Sequence, residues 1–282
     1  MDNQAEFTKL WPSSVKGIEL FEAQLFKHKF DKHFHDVYTI GLNQKGQGQC
    51  FYKDTLHYQH PGSFNCINPG EVHTGAVVSN KGWTFRNLYI SPTAMSQLMK
   101  QLGRDGTALP CFAHINVEAP EIRGLFRRLF QVLSNPSTQL ERQTLLLKFF
   151  SQIFDGHIHD RSSNSAKPEH KAIRQIRTYL KQHCAEDISI ETLAALVNLN
   201  PYYLIRCFKQ EMGLPPHSYK KQCQLIKAKQ ALHTTTPLAT VATNCGFYDQ
   251  SHLNRAFKRV FGVSPGRYQK VNFVQSSTRS YP

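Results

Sequence analysis

Residues 246–268 read GFYDQSHLNRAFKRVFGVSPGRY, and their pattern has already occurred once in the chain. Leu204, Arg206, Phe208, Lys209, Met212, Gly213, Pro216 and Tyr219 return 49 positions later as Leu253, Arg255, Phe257, Lys258, Phe261, Gly262, Pro265 and Tyr268. Eight matches at one offset mark a duplicated unit. Each copy holds a short helix, a tight turn and a second helix start, the form of a helix-turn-helix. In the first copy Ser189 is placed to cap a helix containing Leu193, Ala194, Leu196 and Val197, with Glu191 in the first turn, where the helix dipole favours it. Asn198 suits the left-handed residue that ends this helix. Asn200 suits the next cap, and Pro201 the first position after it, where a missing amide hydrogen costs nothing. In the second copy Thr236 and Pro237 supply cap and first position, Gly246 ends the helix and Asp249 caps the next. Leu199 and Phe247 are expected beneath the two turns, and Leu204, Phe208, Leu253 and Phe257 toward the core.

Between the copies, residues 217–233 contain no Gly or Pro and carry Tyr219, Cys223, Ile226 and, on a neighbouring face, Leu225 and Leu232. One helix of about 17 residues spans roughly 25 Å at 1.5 Å per residue, a rigid spacer. Two reading helices held roughly 34 Å apart enter successive major-groove segments on one side of a duplex, so one chain is expected to read about two turns. The charge agrees. The 282 residues include 34 Lys+Arg against 20 Asp+Glu, and from Ala166 onward there are 17 basic and 6 acidic residues, a net +11. So basic a unit binds phosphates, because cationic side chains release the counterions condensed on nucleic acid. A membrane surface is disfavoured, since no helix of this half pairs a wide apolar face with a basic one.

The first half has a different pattern. From Glu19 to Ile90, short runs such as YTIGL (38–42) and FNCI (64–67) are broken by Gly46-Gln47-Gly48, Pro61-Gly62, Asn68-Pro69-Gly70 and Asn80-Lys81-Gly82, which predicts many short strands in a barrel or sandwich. After Pro120 the period changes. Ile122, Leu125, Phe126, Leu129 and Leu133, then Leu146, Phe149, Phe150, Ile153 and Phe154, predict two amphipathic helices that cover the barrel, a dimer interface being the alternative. Residues 157–169, HIHDRSSNSAKPE, are polar without an apolar period and read as a linker. The expected domains are therefore residues 1–156, a linker at 157–169, a helical DNA-binding domain at 170–270 and a polar tail at 271–282. No run reaches the ~18–20 apolar residues of a membrane helix, and the polar start lacks a signal pattern, so a soluble cytoplasmic protein is expected. Seven cysteines (Cys50, Cys66, Cys111, Cys184, Cys207, Cys223 and Cys245) contain no C-x-x-C pair and read as small buried thiols in a reducing compartment. No G-x-S-x-G, phosphate-cradling Gly loop with Lys, or H-E-x-x-H occurs, so no enzyme is expected.

Residues 173–268, and above all the signature at 246–268, resemble the DNA-binding domain of AraC-type bacterial transcription regulators. The resemblance implies a seven-helix bundle with two helix-turn-helix units joined by a long helix. Carried over by position, it implies that Tyr202, Ile205 and Arg206 of the first recognition helix, and Gln250, Ser251, Asn254 and Arg255 of the second, face duplex DNA. The chemistry suits that role: Arg donates twice to guanine, Asn and Gln pair with adenine, and Ile or Tyr touches a thymine methyl. Arg206 and Arg255 suit phosphate equally well, and Ile205 can simply pack against a neighbour. The chain departs from the family pattern in two places. Gln224 stands where an Arg is common before Leu225, and Pro201-Tyr202 opens a reading helix with apolar residues.

His33-Phe34-His35, then Pro61-Gly62, then Pro69-Gly70-Glu71-Val72-His73 resemble the two motifs of a cupin-type barrel. Metal-bearing cupins hold iron, manganese or zinc on three His and one Glu. His33, His35 and His73 are present, but Thr39-Ile40 stand where the first motif's Glu falls, so no metal and no cofactor are expected. Together the resemblances imply a two-domain α+β protein: an N-terminal cupin-like β-barrel with two following helices, then a C-terminal all-α bundle with two helix-turn-helix units. They imply a small-molecule effector in the barrel near His35, Tyr38, His73 and Trp83, each of which core packing also explains. They further imply a homodimer formed through the N-terminal half, an operator in double-stranded DNA, and RNA polymerase as a partner if the protein is an activator. Two alternatives stay open: a metal-dependent cupin enzyme with a DNA-binding domain, and a ligand-independent DNA-binding regulator.

Overall fold

The computed structural model describes residues 6–78, 81–104, 109–159 and 171–277. The chain divides into two compact units, Met1–Asn164 and Ser165–Pro282. In the first, nine strands come in succession: β1 (Phe7–Pro12), β2 (Ile18–Leu25), β3 (Lys29–His33), β4 (Tyr38–Gly46), β5 (Gly48–Tyr52), β6 (Thr55–Gln59), β7 (Phe64–Ile67), β8 (His73–Val77) and β9 (Trp83–Ile90). Helix α1 (Pro92–Gln101), the short strands β10 (Cys111–Phe112) and β11 (Asn116–Val117), helices α2 (Arg123–Ser134) and α3 (Gln139–His157), and strand β12 (Ile158–His159) follow. One antiparallel sheet has the order β1-β2-β9-β4-β7-β11 and a second the order β3-β8-β5-β6. Lys53 and Asp54, both at positive φ, make the two-residue turn between β5 and β6, in the backbone form whose twist matches a hairpin.

The larger sheet has two different faces, because successive strand residues point to opposite sides and residues in register share a side. Trp11, Leu20, Leu88 and Ile40 form one row in register, and Leu42 opposes Phe64 on the same side. This side carries α2 and α3: the Phe64 ring lies 5.5 Å from that of Phe126 and 6.2 Å from that of Phe149, and Trp11 meets Phe130 edge-on at 5.9 Å. Phe126, Leu129, Leu133, Leu146, Phe149, Phe150, Ile153 and Phe154 are all buried, so the apolar faces expected from their spacing are spent covering the sheet. The other side faces the smaller sheet, with Phe21 of β2 against Phe30 of β3.

Several boundaries differ from the sequence reading. Strand β1 and helix α1 were not expected. The signal for α1 was present, since Ser91 caps it by accepting from the Ala94 amide and Pro92 follows at the first position. The linker expected at 157–169 falls largely outside the described residues, but its first three positions end α3 and form β12, which pairs with β10. The polar tail expected from 271 is helical as far as Ser277. There Asn272 is buried, and its side-chain amide donates to the Tyr268 carbonyl of its own helix at 2.8 Å, which lets a polar residue continue the helix.

The second unit is α4 (Lys171–Gln182), α5 (Ile190–Leu196), α6 (Pro201–Met212), α7 (Pro216–Ala231), α8 (Leu238–Asn244), α9 (Gln250–Phe261) and α10 (Pro265–Ser277), seven helices among the described residues. The duplicated sequence gives duplicated packing. Phe208 and Tyr219 meet at 5.4 Å in the first copy, and their counterparts Phe257 and Tyr268 at 5.9 Å in the second, all four buried. Helix α7 touches α4, α6, α8 and α9, so the connecting rod is also the centre of the core.

Candidate nucleic-acid interface and barrel interior

The two helix-turn-helix units are α5–α6 and α8–α9. Ser189 caps α5 by accepting from the Thr192 amide at 3.0 Å, and Asn198 turns the chain at φ 52. The Asn200 side chain then accepts from the Tyr202 amide at 2.9 Å and starts α6. In the second unit Asp249 accepts from the His252 amide at 2.6 Å and starts α9. The cap expected at Thr236 is not made. Pro237 itself stands at the cap of α8 without a side-chain bond, and the Thr236 hydroxyl bonds Thr234 instead. Both reading helices end on a glycine at φ 73, Gly213 and Gly262, where a residue with a β-carbon is strained.

Between the copies lies one tie that the sequence did not announce. Gln224, buried in α7, donates from Nε2 to the Gly246 carbonyl at 3.0 Å. Gly246 sits at φ 78 in the turn before α9, and a β-carbon there would lie 2.6 Å from the Ala185 carbonyl oxygen. The residue that departs from the family pattern thus fixes the second turn onto the connecting helix.

The faces opposite the core are open. Tyr202 is 77% exposed and Ile205 37%, and Arg206 is exposed with its guanidinium 5.4 Å from the ring of Tyr203. On α9, Gln250, Ser251, Asn254 and Arg255 are all exposed, while Leu253, Ala256 and Phe257 are buried. All seven residues carried over from the resemblance therefore lie on the solvent side of their helices. Tyr248, 90% exposed just before the Asp249 cap, was missed; an aromatic residue between a turn glycine and a cap was the available signal. Partial burial, then the neighbouring Lys221 and Arg255, lowers the His252 imidazole from its ordinary value.

In the first unit the inner side of the large sheet sets polar residues among apolar ones. Phe21, Asn87, Gly41 and Asn65 form one row in register, and Tyr89, Thr39 and Ile67 another. A β-carbon on Gly41 would lie 1.8 Å from the Asn87 side-chain oxygen, so glycine makes the room that two asparagines fill. Thr39, Asn65 and Asn87 are buried, and neither Thr39 Oγ1 nor Asn65 Oδ1 has a partner among the described residues. These residues were missed, although polar residues at every second strand position are the legible sign of a polar inner face.

His33, His35 and His73 meet inside this unit, all buried, with ring centroids 4.4 to 5.3 Å apart. His35 also lies 5.1 Å from the ring of Tyr89. Burial first, then the neighbouring His73, holds the His33 imidazole well below the usual histidine range, and burial lowers His73 too, so both are neutral near pH 7. Tyr38 is placed differently, while Trp83 shares the inner side of β9 with Asn87 and Tyr89. Tyr38 lies on the side of β4 opposite to Thr39, in register with Ile90, and its hydroxyl donates to the Pro110 carbonyl at 2.9 Å. The Trp83 ring lies tilted against Phe85 with centroids 4.2 Å apart, and its Nε1 donates to Asn43 Oδ1 at 3.0 Å, so its polar edge is already used.

Residues 15–150 match the family model described as the AraC-like ligand binding domain, and residues 193–271 match a helix-turn-helix domain. A probable transcriptional regulator, LumQ of Photobacterium leiognathi, is 30% identical over 244 residues, covering 84% of this chain and 91% of its own. The chain belongs to the AraC family. It is thus a DNA-binding transcription regulator with a ligand-binding N-terminal domain. The arabinose operon regulatory protein of Escherichia coli strain K12 is 26% identical to this AraC-type regulator over 249 residues, covering 84% and 83% of the two chains. Among solved structures, unsaturated fatty acid bound ToxT from Vibrio cholerae has the same fold, with a TM-score of 0.57 at 15% identity, covering 96% of this regulator and 97% of ToxT. No helix among the described residues is long and apolar enough to cross a membrane.

Proposed function

We propose that this regulator reads two successive major-groove segments with α6 and α9. Tyr202, Ile205 and Arg206 contact the first segment, and Gln250, Ser251, Asn254 and Arg255 the second. The observation that carries the reading is the repetition at an offset of 49 residues of the same buried set, which turns Arg206 and Arg255 outward at matching positions, beside Tyr202 and Ile205 in the first copy and Gln250, Ser251 and Asn254 in the second. Arg255 reads a base and the flanking cations hold phosphates, because phosphate contacts position a protein while base contacts specify the site. The effector lies against the inner face of the large sheet, contacted by His35, His73, Thr39, Asn65 and Tyr89, with Trp83 on the same face and Tyr38 left to the core. The unpartnered Thr39 and Asn65 oxygens on that face favour a molecule with hydrogen-bond donors over the unsaturated fatty acid named for a ToxT structure.

In this reading the protein works in the bacterial cytoplasm as a homodimer joined through its N-terminal unit, with residues beyond β12 linking the two units. Effector binding changes the affinity for DNA only to the extent that the effector prefers one arrangement of the units. Relatives named as transcriptional activators favour activation, with RNA polymerase as the partner. The test is selection of duplexes from a random pool by the full-length protein, repeated with panels of polar metabolites that raise its melting temperature. A two-part consensus whose affinity shifts with one metabolite is expected. A consensus that no metabolite alters would favour the ligand-independent alternative, and selection of no consensus would overturn the reading.

A further inference from the structure

Two of the seven cysteines meet where the turn between α8 and α9 reaches the end of α4. Cys184 lies in the turn that follows α4, and Cys245 in the turn that follows α8. The residues next after them touch: a β-carbon on Gly246 would lie 2.9 Å from the Ala185 Cα and 2.6 Å from its carbonyl oxygen. Both thiols are free and buried, beneath turns whose neighbouring residues Gln182, Glu186, Asn244 and Gly246 are exposed. The Cys184 sulfur is close enough to act electrostatically on Cys245. A disulfide needs Cα atoms about 4.4–6.8 Å apart, the separation that backbones in contact offer.

Helix α7 supplies cations to the pair. Burial raises both thiols above their ordinary value, and Lys227 acts against it on both. Lys220, on the same face of α7, acts on Cys184 as well. Gln224 lies between the two lysines on that face and anchors it to the Gly246 carbonyl. The cysteines of the first unit differ. Burial pushes Cys50 up to about 12 with only a backbone hydrogen bond opposing it, and raises Cys66 with nothing opposing it. A thiolate beside an ammonium is the form that oxidants attack. Core packing explains one buried thiol at each turn, and the common cation beside both is the additional observation.

We propose that Cys184 and Cys245 are a redox site that forms a reversible disulfide when a peroxide accumulates. Cys184, with two lysines beside it, reacts first: its thiolate takes one peroxide oxygen, giving a sulfenic acid and releasing hydroxide. The Cys245 thiolate then attacks that sulfur and expels the second oxygen as hydroxide, and the two thiol protons convert both hydroxides to water. One peroxide gains two electrons and the two sulfurs lose them. A thiol reductant reverses the step, so the dithiol is the resting form in a reducing compartment. The bond encloses residues 185–244, which hold α5, α6, α7 and α8. Drawing the sulfurs to about 2.05 Å moves the α8–α9 turn against the end of α4. Gly246 already meets the Ala185 carbonyl and is held by Gln224, so the movement passes along the turn to the Asp249 cap and α9. This last consequence rests on the proposed DNA reading of α9; the disulfide itself does not.

The test treats reduced full-length protein with hydrogen peroxide, blocks the remaining thiols with N-ethylmaleimide under denaturing conditions, and maps the peptides by mass spectrometry. One intramolecular link between Cys184 and Cys245 is expected, with Cys50, Cys66 and Cys223 alkylated and the link lost on adding dithiothreitol. A footprint of the linked protein on the selected duplex should lose the patch read by α9 more than that read by α6, and regain it with dithiothreitol. Cys184→Ser and Cys245→Ser, checked for folding by circular dichroism, should bind DNA equally with and without peroxide. Should these variants fail to fold, the peptide map of the unmodified protein decides. Both thiols found alkylated once the part-exposed Cys111 and Cys207 have oxidised, or either one linked to another cysteine, would overturn the proposal. A linked protein with an unchanged footprint would overturn the effect on α9. Reduced protein that selects no duplex defeats the DNA reading instead, and the peptide map still decides for the disulfide.

Discussion

Arg255 carries the sharpest consequence of the proposed interface. If it donates twice to guanine, Arg255→Ala should lose about 1–3 kcal/mol on the selected duplex and relax preference at one base position. A uniform loss on every duplex would make it a phosphate contact, and a binding assay across single-base variants separates the two. Gln224 acts at a distance from DNA. Gln224→Ala removes the hydrogen bond to the Gly246 carbonyl, so stability should fall by about 1 kcal/mol and affinity for the segment read by α9 should fall more than for that read by α6. Gly246→Ala should be worse, because it meets both a positive φ of 78 and the Ala185 carbonyl oxygen at 2.6 Å. A loss of stability well above about 1 kcal/mol by denaturant unfolding is expected, and an unchanged midpoint would refute the account of the turn.

At the scale of elements, the reading helices depend on their ends. Asn200→Ala and Asp249→Ala should each cost about 1 kcal/mol, as lost side-chain caps do, while Thr236→Ala should cost little because Thr236 makes no cap. Thermal melts of the three variants check the contrast. Caps and terminating glycines made these helices legible in the sequence, because each is a local chemical requirement met by one residue type. The inner face of the barrel was not legible in the same way. Thr39, Asn65 and Asn87 matter only because strand pairing aligns them across β4, β7 and β9, and that register belongs to no single segment. For Tyr38 the two readings, effector contact and core packing, part on the same register: its neighbour Thr39 faces the interior, and alternation sends Tyr38 to the other side. The three histidines were visible as a set, but that His33 and His73 stand side by side follows from the pairing of β3 with β8, which neither segment announces alone.

Across the whole molecule, composition divides the work between the units. In the proposed interface the net +11 from Ala166 onward supplies salt-dependent affinity for any duplex, and the seven residues proposed to face DNA on α6 and α9 add discrimination. Raising the salt concentration should therefore weaken binding to random and selected duplexes alike, preserving most of their ratio. The N-terminal unit contributes control through ligand affinity, so its loss should leave DNA preference intact while removing the metabolite response. The central claim is that one chain presents two groove-reading helices joined by α7. Its most direct test is a base-methylation protection footprint of the full-length protein on the selected duplex. The account predicts, for each bound chain, two protected major-groove patches about 10–10.5 base pairs apart on one side of the duplex. A single patch per chain, or protection that ignores sequence, would contradict it.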